Sequence, residues 1–215
     1  SIAAEAQPGT MALPNLHTRA LDDATRDAIS RLAAEKGVTV STVVSVAWGL
    51  TLRRITGRDD VVFGSTVAGR DPMVPGVDRM VGLTLNTVPV RVQARPSTSP
   101  RALLREVFTA QGALIPHQHM GLGDISRAAG FASLFDTLLV FRNVGGDAER
   151  FDVLSRAGIT AAEATDATHY AITLDVDPRS RSGAMEVTVE NRPDLVDDET
   201  AQRVLETMLE MLGAL

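Results

Sequence analysis

An α/β sandwich, two layers deep with helices covering a mixed β-sheet, is the fold class this sequence predicts, and three observations predict it. Short β-branched runs bounded by turn residues alternate with longer segments whose apolar residues recur every three or four positions. The 215 residues are 44% hydrophobic and 22% charged, enough for a packed core of one ordinary domain. Cysteine is absent, so disulfides, thiolate metal sites and cysteine nucleophiles fall away together, and the core must hold by packing alone.

The elements follow in order. Residues 1–15 mix Gly, Pro, Ala and Gln without periodicity and read as a linker. From Leu21, the residues Leu21, Ala24, Ala28 and Leu32 recur at helical spacing, with Asp22 and Asp23 in the first turn and Gly37 just beyond the end, which predicts an amphipathic helix of about four turns. Thr39 is placed to cap a second helix whose Val40, Val43, Val44, Val46, Ala47, Leu50 and Ile55 are apolar on most sides, so this helix is expected to be buried. After the break at 56–60, Val61–Val67 is a β-branched run and reads as a strand. Gly69–Arg79, with two prolines and two glycines, reads as a structured loop, and Leu83–Val92 as the next strand. Ser99-Pro100 supplies a cap and a first-turn proline for a helix through Leu103, Leu104, Val107, Phe108 and Leu114. Further strands are expected at 134–142, 169–176 and 184–190, with a weaker one inside 151–163. A last helix, entered at Asp197 or Asp198, puts Val204, Leu205, Met208, Leu209 and Leu212 on one face.

The formal charge is −6, with one lysine among the basic residues, and it offers no cationic footprint for a polyanion, so nucleic acid is excluded as a partner class. No apolar run approaches the roughly 20 residues of a membrane helix, and the first ten residues have neither a basic head nor an apolar stretch, so no membrane partner is expected and the chain reads as cytoplasmic. The search for a catalytic constellation returns nothing complete. His17 reads as a solvated surface residue. His117 and His119, two apart at a helix end, do not face each other, and His169 opens a strand, so no metal site is expected. Neither a G-x-S-x-G elbow, an S-x-x-K pair nor a phosphate-binding glycine loop is present.

Five stretches carry more information when taken together. Val81–Arg91 reads VGLTLNTVPVR, and Leu52–Arg70 upstream reads LRRITGRDDVVFGSTVAGR. Downstream come His117-Gln118-His119, then Leu134–Phe141 followed by Asn143, and finally Asn191-Arg192-Pro193-Asp194-Leu195. In order and spacing these resemble the C-terminal half of a condensation domain of nonribosomal peptide synthetases, a member of the chloramphenicol acetyltransferase-like superfamily, over residues 16–215. The first stretch is similar to the family's I-G-x-F-V-N-T-x-x-x-R motif and the third to the start of H-Q-D-x-P-F-E. There are departures: Thr84 stands where the family has an aromatic, His119 replaces Asp, Gly121 and Gly123 replace Pro and Glu, and the R-D-x-S-R-N-P-L element is hardly recognisable before Leu134. The catalytic H-H-x-x-x-D-G of the family's N-terminal lobe is nowhere in these residues, so no catalytic residue is assigned.

The resemblance implies a lobe that is one wall of a tunnel. An upstream peptidyl carrier protein delivers an acyl or peptidyl thioester from one side, a downstream carrier delivers an aminoacyl thioester from the other, and a peptide bond forms. Both substrates ride on phosphopantetheine arms, with no cofactor bound by the lobe itself. The implied partners are the N-terminal lobe, the two carriers and the adjacent adenylation domain, with self-association expected when the lobe stands alone. Arg70, Gly82, Asn86, Thr87 and Asn143 are the residues the resemblance assigns to the tunnel or the lobe interface. Arg70 would grip the missing motif's aspartate. Gly82 is a tight turn beside the tunnel or an ordinary turn glycine. Asn86 and Thr87 offer hydrogen-bonding groups to the tunnel or cap local backbone. Arg91 is assigned to a structural ion pair or to solvent. A floor loop at about 67–82 and a latch at about 151–167 complete the implied anatomy. The alternatives are a non-catalytic module that binds carrier proteins and a free acyltransferase of the chloramphenicol type, which lacks the histidine base it needs.

Overall fold

The computed structural model describes residues 12–70, 73–142, 168–180 and 182–215. The strands are β1 (Asn15–Ala20), β2 (Asp60–Val67), β3 (Asn86–Gln93), β4 (Thr137–Phe141), β5 (Ile172–Asp177) and β6 (Glu186–Asn191). The helices are α1 (Asp23–Lys36), α2 (Val40–Thr56), α3 (Pro100–Leu114), α4 (Leu122–Ala129) and α5 (Asp198–Ala214). Short 3₁₀ turns occupy Val77–Arg79 and Ile115–His117. The strands form one sheet in the order β1-β6-β5-β4-β2-β3, with β2, β4 and β5 parallel and the other pairings antiparallel. The predicted α/β sandwich around a mixed sheet is what is observed.

Helix starts are fixed by side chains that accept otherwise unpaired backbone N–H groups: Asp22 from Thr25, Thr39 from Thr42, Ser99 from Ala102 and Asp197 from Thr200. Thr39 and Ser99 are caps read from the sequence and Asp197 is one of the two residues offered for the last helix, whereas Asp22, placed by the sequence in the first turn, is the cap. α2 lies at the centre of the helical layer, touching α1, α3 and α5 as well as β2 and β3. Its run from Thr42 to Gly49 is closed to solvent, as the all-round apolar pattern predicts. Packed around it, Phe63, Val90, Val92, Leu139, Ile172, Leu174, Val176, Val187 and Val189 line the sheet's helix face. Each such side chain contributes about 1.5–3 kcal/mol by leaving water.

The structure corrects several expectations. In α1 the buried positions are Ile29 and Ala33, whereas Ala24 and Ala28 face solvent; the larger Ile29 gains more by burial and sets the rotation of the helix. β3 begins at Asn86, three residues later than expected, because Leu83 and Leu85 are exposed loop residues that only look like the start of a strand. β1 was not expected, and its first residue takes the last position of the stretch read as linker. It is six residues long, mostly exposed, and is held by pairing with β6 rather than by an apolar pattern of its own. α4 was also not expected. The weak strand inside 151–163 and the latch at about 151–167 lie outside the described residues.

Edge strand β3 carries Pro89 at its middle, opposite Gly64 of β2. Proline has no N–H, and in a sheet it is tolerated where that missing donor faces away from the ladder.

Candidate functional site

Because β2, β4 and β5 are parallel, their carboxyl ends emerge along one edge of the sheet, and antiparallel β3 enters there, with Val67 paired to Asn86. Of the five residues assigned to the site, Arg70, Gly82, Asn86 and Thr87 lie at this edge or in the loop that joins its strands. Asn143 lies outside the described residues.

The loop between β2 and β3 is closed on itself. Arg70 Nη1 donates to the carbonyls of Val77 and, at 3.1 Å, Met80. Gly69 has φ 60°, and a Cβ there would run into the Thr84 carbonyl, so the two arms of the loop meet where only glycine fits. Gly82 has φ 156° with open space around the position of a Cβ, so backbone conformation rather than crowding favours glycine there. This guanidinium group therefore serves its own loop in the isolated chain. On the outside of the loop, Met73, Met80, Val81, Leu83 and Leu85 are exposed, Val81 and Leu83 almost completely.

Asn86 staples this edge to the turn after α3. Its Nδ2 donates to the carbonyls of Gln118 (2.7 Å) and Met120 (2.8 Å), and its Oδ1 accepts from the Thr87 N–H (2.9 Å). Two stretches that were separate in the sequence, LNT and HQH, are thus bonded to one another. His117 and His119 themselves are exposed.

The Thr87 side chain lies beside the phenol of Tyr170, which burial of the ring pushes above its ordinary value, a shift that the Thr87 hydroxyl opposes. Tyr170 stacks against Phe135 (centroids 5.6 Å) and His169 (4.1 Å). Phe135 lies over Gly64, where a Cβ would come within 2.8 Å of its Cζ and 3.0 Å of the Thr87 methyl. The face of the sheet away from α1, α2, α3 and α5 therefore carries an aromatic layer joined to Thr87. Sequence reasoning missed it. The available signal was a glycine inside a strand, which marks a close approach by something else.

Two ion pairs lie on this face. Arg142, just after β4, grips Asp175 with Nε and Nη2, the latter at 2.6 Å. Arg91 grips Asp60 in the same two-pronged way and holds that carboxyl below its ordinary value, so Arg91 is the ion-paired residue that the sequence offered as one of two readings.

His17 is corrected. Its side chain is only 13% exposed, 3.1 Å from Asn191 Oδ1 and 3.6 Å from Asp198, because β1 carries it beneath the start of α5. Buried Asn191 also donates to the Val196 carbonyl and to Asp198, so the histidine belongs to a structural knot. Among the described residues, no three His, Cys, Asp or Glu side chains gather as a metal site would require, and no helix is long and apolar enough to cross a membrane.

Comparison with known proteins gives consistent results. The family profile described as "Condensation domain" matches residues 6–215. Chondramide synthase cmdD of Chondromyces crocatus is 39% identical over 170 residues, 76% of this chain and 4% of that protein. Vanchrobactin synthetase VabF of Vibrio anguillarum is 35% identical over 165 residues, 76% of this chain and 6% of that protein. Among solved structures, the first condensation domain of the calcium-dependent antibiotic synthetase, in complex with substrate analogue 3a, superposes with a TM-score of 0.76 at 18% identity. That match covers 95% of this chain and 44% of the other. The chain thus spans a small fraction of its curated relatives and less than half of that solved domain, and it belongs to the condensation-domain family.

Proposed function

We propose that this chain is the C-terminal lobe of a peptide-bond-forming condensation domain in a nonribosomal peptide synthetase. It forms one wall of the tunnel in which an aminoacyl amine, delivered on the phosphopantetheine arm of a downstream carrier, attacks the thioester held on an upstream carrier. Nitrogen bonds to the thioester carbonyl carbon, the carbon–sulfur bond breaks, the amine loses a proton, and the upstream thiol is released. The base or positioning histidine comes from the N-terminal lobe, so this lobe alone is inactive. The other partners are the two peptidyl carrier proteins and the neighbouring adenylation domain, in the cytoplasm.

The observation that carries this reading is the joint one of family and extent: nearly the whole chain matches the family, yet it covers 44% of a solved condensation domain. The exposed Met73, Met80, Val81, Leu83 and Leu85 support it, since several large apolar side chains left in water within one stretch of chain favour a face that a partner covers. In that assembly the loop held by Arg70 and the staple made by Asn86 present the family's motif to the tunnel, and Arg70 also serves the interface between lobes.

The test is an amide-forming assay with two loaded carrier proteins. The chain alone is expected to give no product, and the chain joined to its N-terminal lobe is expected to turn over. Product from the chain alone, at a rate near that of the joined protein, overturns the proposal.

A further inference from the structure

Eight residues of this chain are Phe, Tyr or Trp, and three of them, Phe131, Phe135 and Tyr170, line one open cavity of about 850 Å³ together with His169. Such concentration in a chain so poor in aromatic residues marks the cavity as built for a ring. Leu122, Leu134 and Leu195 add apolar lining, and Ser126 and Ser133 add small polar groups. Of its charged residues, Arg127 pairs with Asp124 at 2.7 Å.

From this arrangement we infer that the cavity seats an uncharged aromatic side chain of one of the two thioester-borne substrates, with Tyr170 as the specificity-determining residue. The inference rests on the function proposed above and names a substrate class for it. Three features carry it. The Tyr170 ring is held in place before any ligand arrives, by Phe135 and His169 packed on its sides. A pre-ordered ring costs little further entropy on binding. Phe131, 63% exposed, stands as a second ring with one face to solvent. Aromatic rings prefer offset or tilted partners, which a wall of tilted rings provides. Finally, Phe135 and the Thr87 methyl both lie over Gly64, which makes the cavity wall continuous with the motif residues at the sheet edge, the place where the reacting thioesters are proposed to meet.

The experiment is a titration of the 215-residue chain, followed by backbone amide shifts, with two probes: phenylalanyl-pantetheine amide and alanyl-pantetheine amide. The phenylalanyl probe is expected to bind roughly fivefold or more tightly than the alanyl probe, and to move the amides of Phe131, Phe135, His169 and Tyr170. Phe131→Ala, at an exposed position that leaves the core untouched, is expected to abolish most of that preference, and Tyr170→Leu to abolish it in full. Equal affinity for the two probes, or shifts centred elsewhere, overturns the inference. In the joined two-lobe protein, the same two variants are expected to shift product toward aliphatic substrates when phenylalanyl and alanyl carriers compete. If the joined protein condenses with an unchanged product ratio in both variants, the inference fails and the proposed function stands. If the joined protein forms no amide at all, the proposed function fails instead.

Discussion

The two faces of the sheet differ in how their side chains are satisfied. On the helix face, Phe63, Val92, Leu139, Leu174 and Val189 are sealed beneath α1, α2, α3 and α5, and the stabilising contacts are apolar and long-range. On the opposite face, Thr18 meets Thr188 at 2.8 Å, Arg142 meets Asp175, and Arg91 meets Asp60, and Tyr170 packs with Phe135 and His169. The contrast teaches that the two faces contribute to stability by different means. The helix face supplies the hydrophobic driving force, while the other face is held by local polar pairs and a few rings.

The comparison can be broken most forcefully at Trp48, which is fully buried in α2. Trp48→Ala is expected to cost about 3–5 kcal/mol, read as a lowered urea midpoint. Trp48→Phe is expected to cost clearly less, since the indole N–H has no hydrogen-bond partner and nothing is lost with it. A loss as large for Phe as for Ala would show that the indole is bonded in solution.

A matched pair of glycines sharpens the contrast. Gly49 in α2 faces Val92, whose Cβ and both methyls would stand 2.6–2.7 Å from an added Cβ; Gly64 faces the edge of the Phe135 ring. Gly49→Ala is expected to cost about 1–3 kcal/mol, because the branched valine has nowhere to go. Gly64→Ala should cost less, since its nearest contacts are the far end of the Phe135 side chain, which can turn slightly, and the Thr87 methyl, rather than a branched Cβ. Equal costs in chemical denaturation would mean that both faces are equally tight.

Asn86→Ala removes three hydrogen bonds at the sheet edge, two of them to the 118–120 turn. A loss of about 1–2 kcal/mol is expected, with faster amide exchange confined to 115–121 and the helix-face amides unchanged. Exchange that rises uniformly would place Asn86 in the global folding unit.

The smallest effect is the response to acid. Asp60 is held below its ordinary value chiefly by the hydrogen bond from Arg91, and the capping Asp197 by the Thr200 N–H. A carboxyl depressed in the folded state contributes stability that is complete above the unfolded value near 4 and fades as the pH falls through the folded one. Thermal stability is therefore expected to be level from pH 7 to 5 and to decline below about 4, with a shallower decline in Asp197→Asn. An identical slope in that variant would remove the cap from the account.

Much of this was legible in the sequence, for reasons that particular residues show. The caps Thr39 and Ser99 and the apolar girth of α2 are local or periodic signals, and they set α2 and α3 correctly. β1 was invisible because its residues are mostly exposed and its pairing with β6 lies 170 residues away along the chain, as the Thr18–Thr188 bond shows. The early start given to β3 came from Leu83 and Leu85, apolar residues that the loop leaves outside. Motif order singled out Arg70, Gly82, Asn86 and Thr87, which lie together at one sheet edge or in its loop. What no motif encodes is the partner of each group: that Arg70 turns back on Val77 and Met80, that Asn86 reaches Gln118 and Met120, and that Tyr170 crosses to Thr87. Such contacts arise between segments 7 to 83 residues apart and are fixed only when the sheet forms.

Pro89, at the centre of edge strand β3, bears on the fate of this protein at high concentration. Sheets spread from molecule to molecule by adding strands to an exposed edge, and fibrillar deposits grow by repeating that step. A newcomer laid along β3 finds no amide hydrogen at position 89, and the ladder it offers is interrupted at its middle rung. Growth on that flank is blocked by one missing proton, however strongly the apolar loop beside it draws other molecules in.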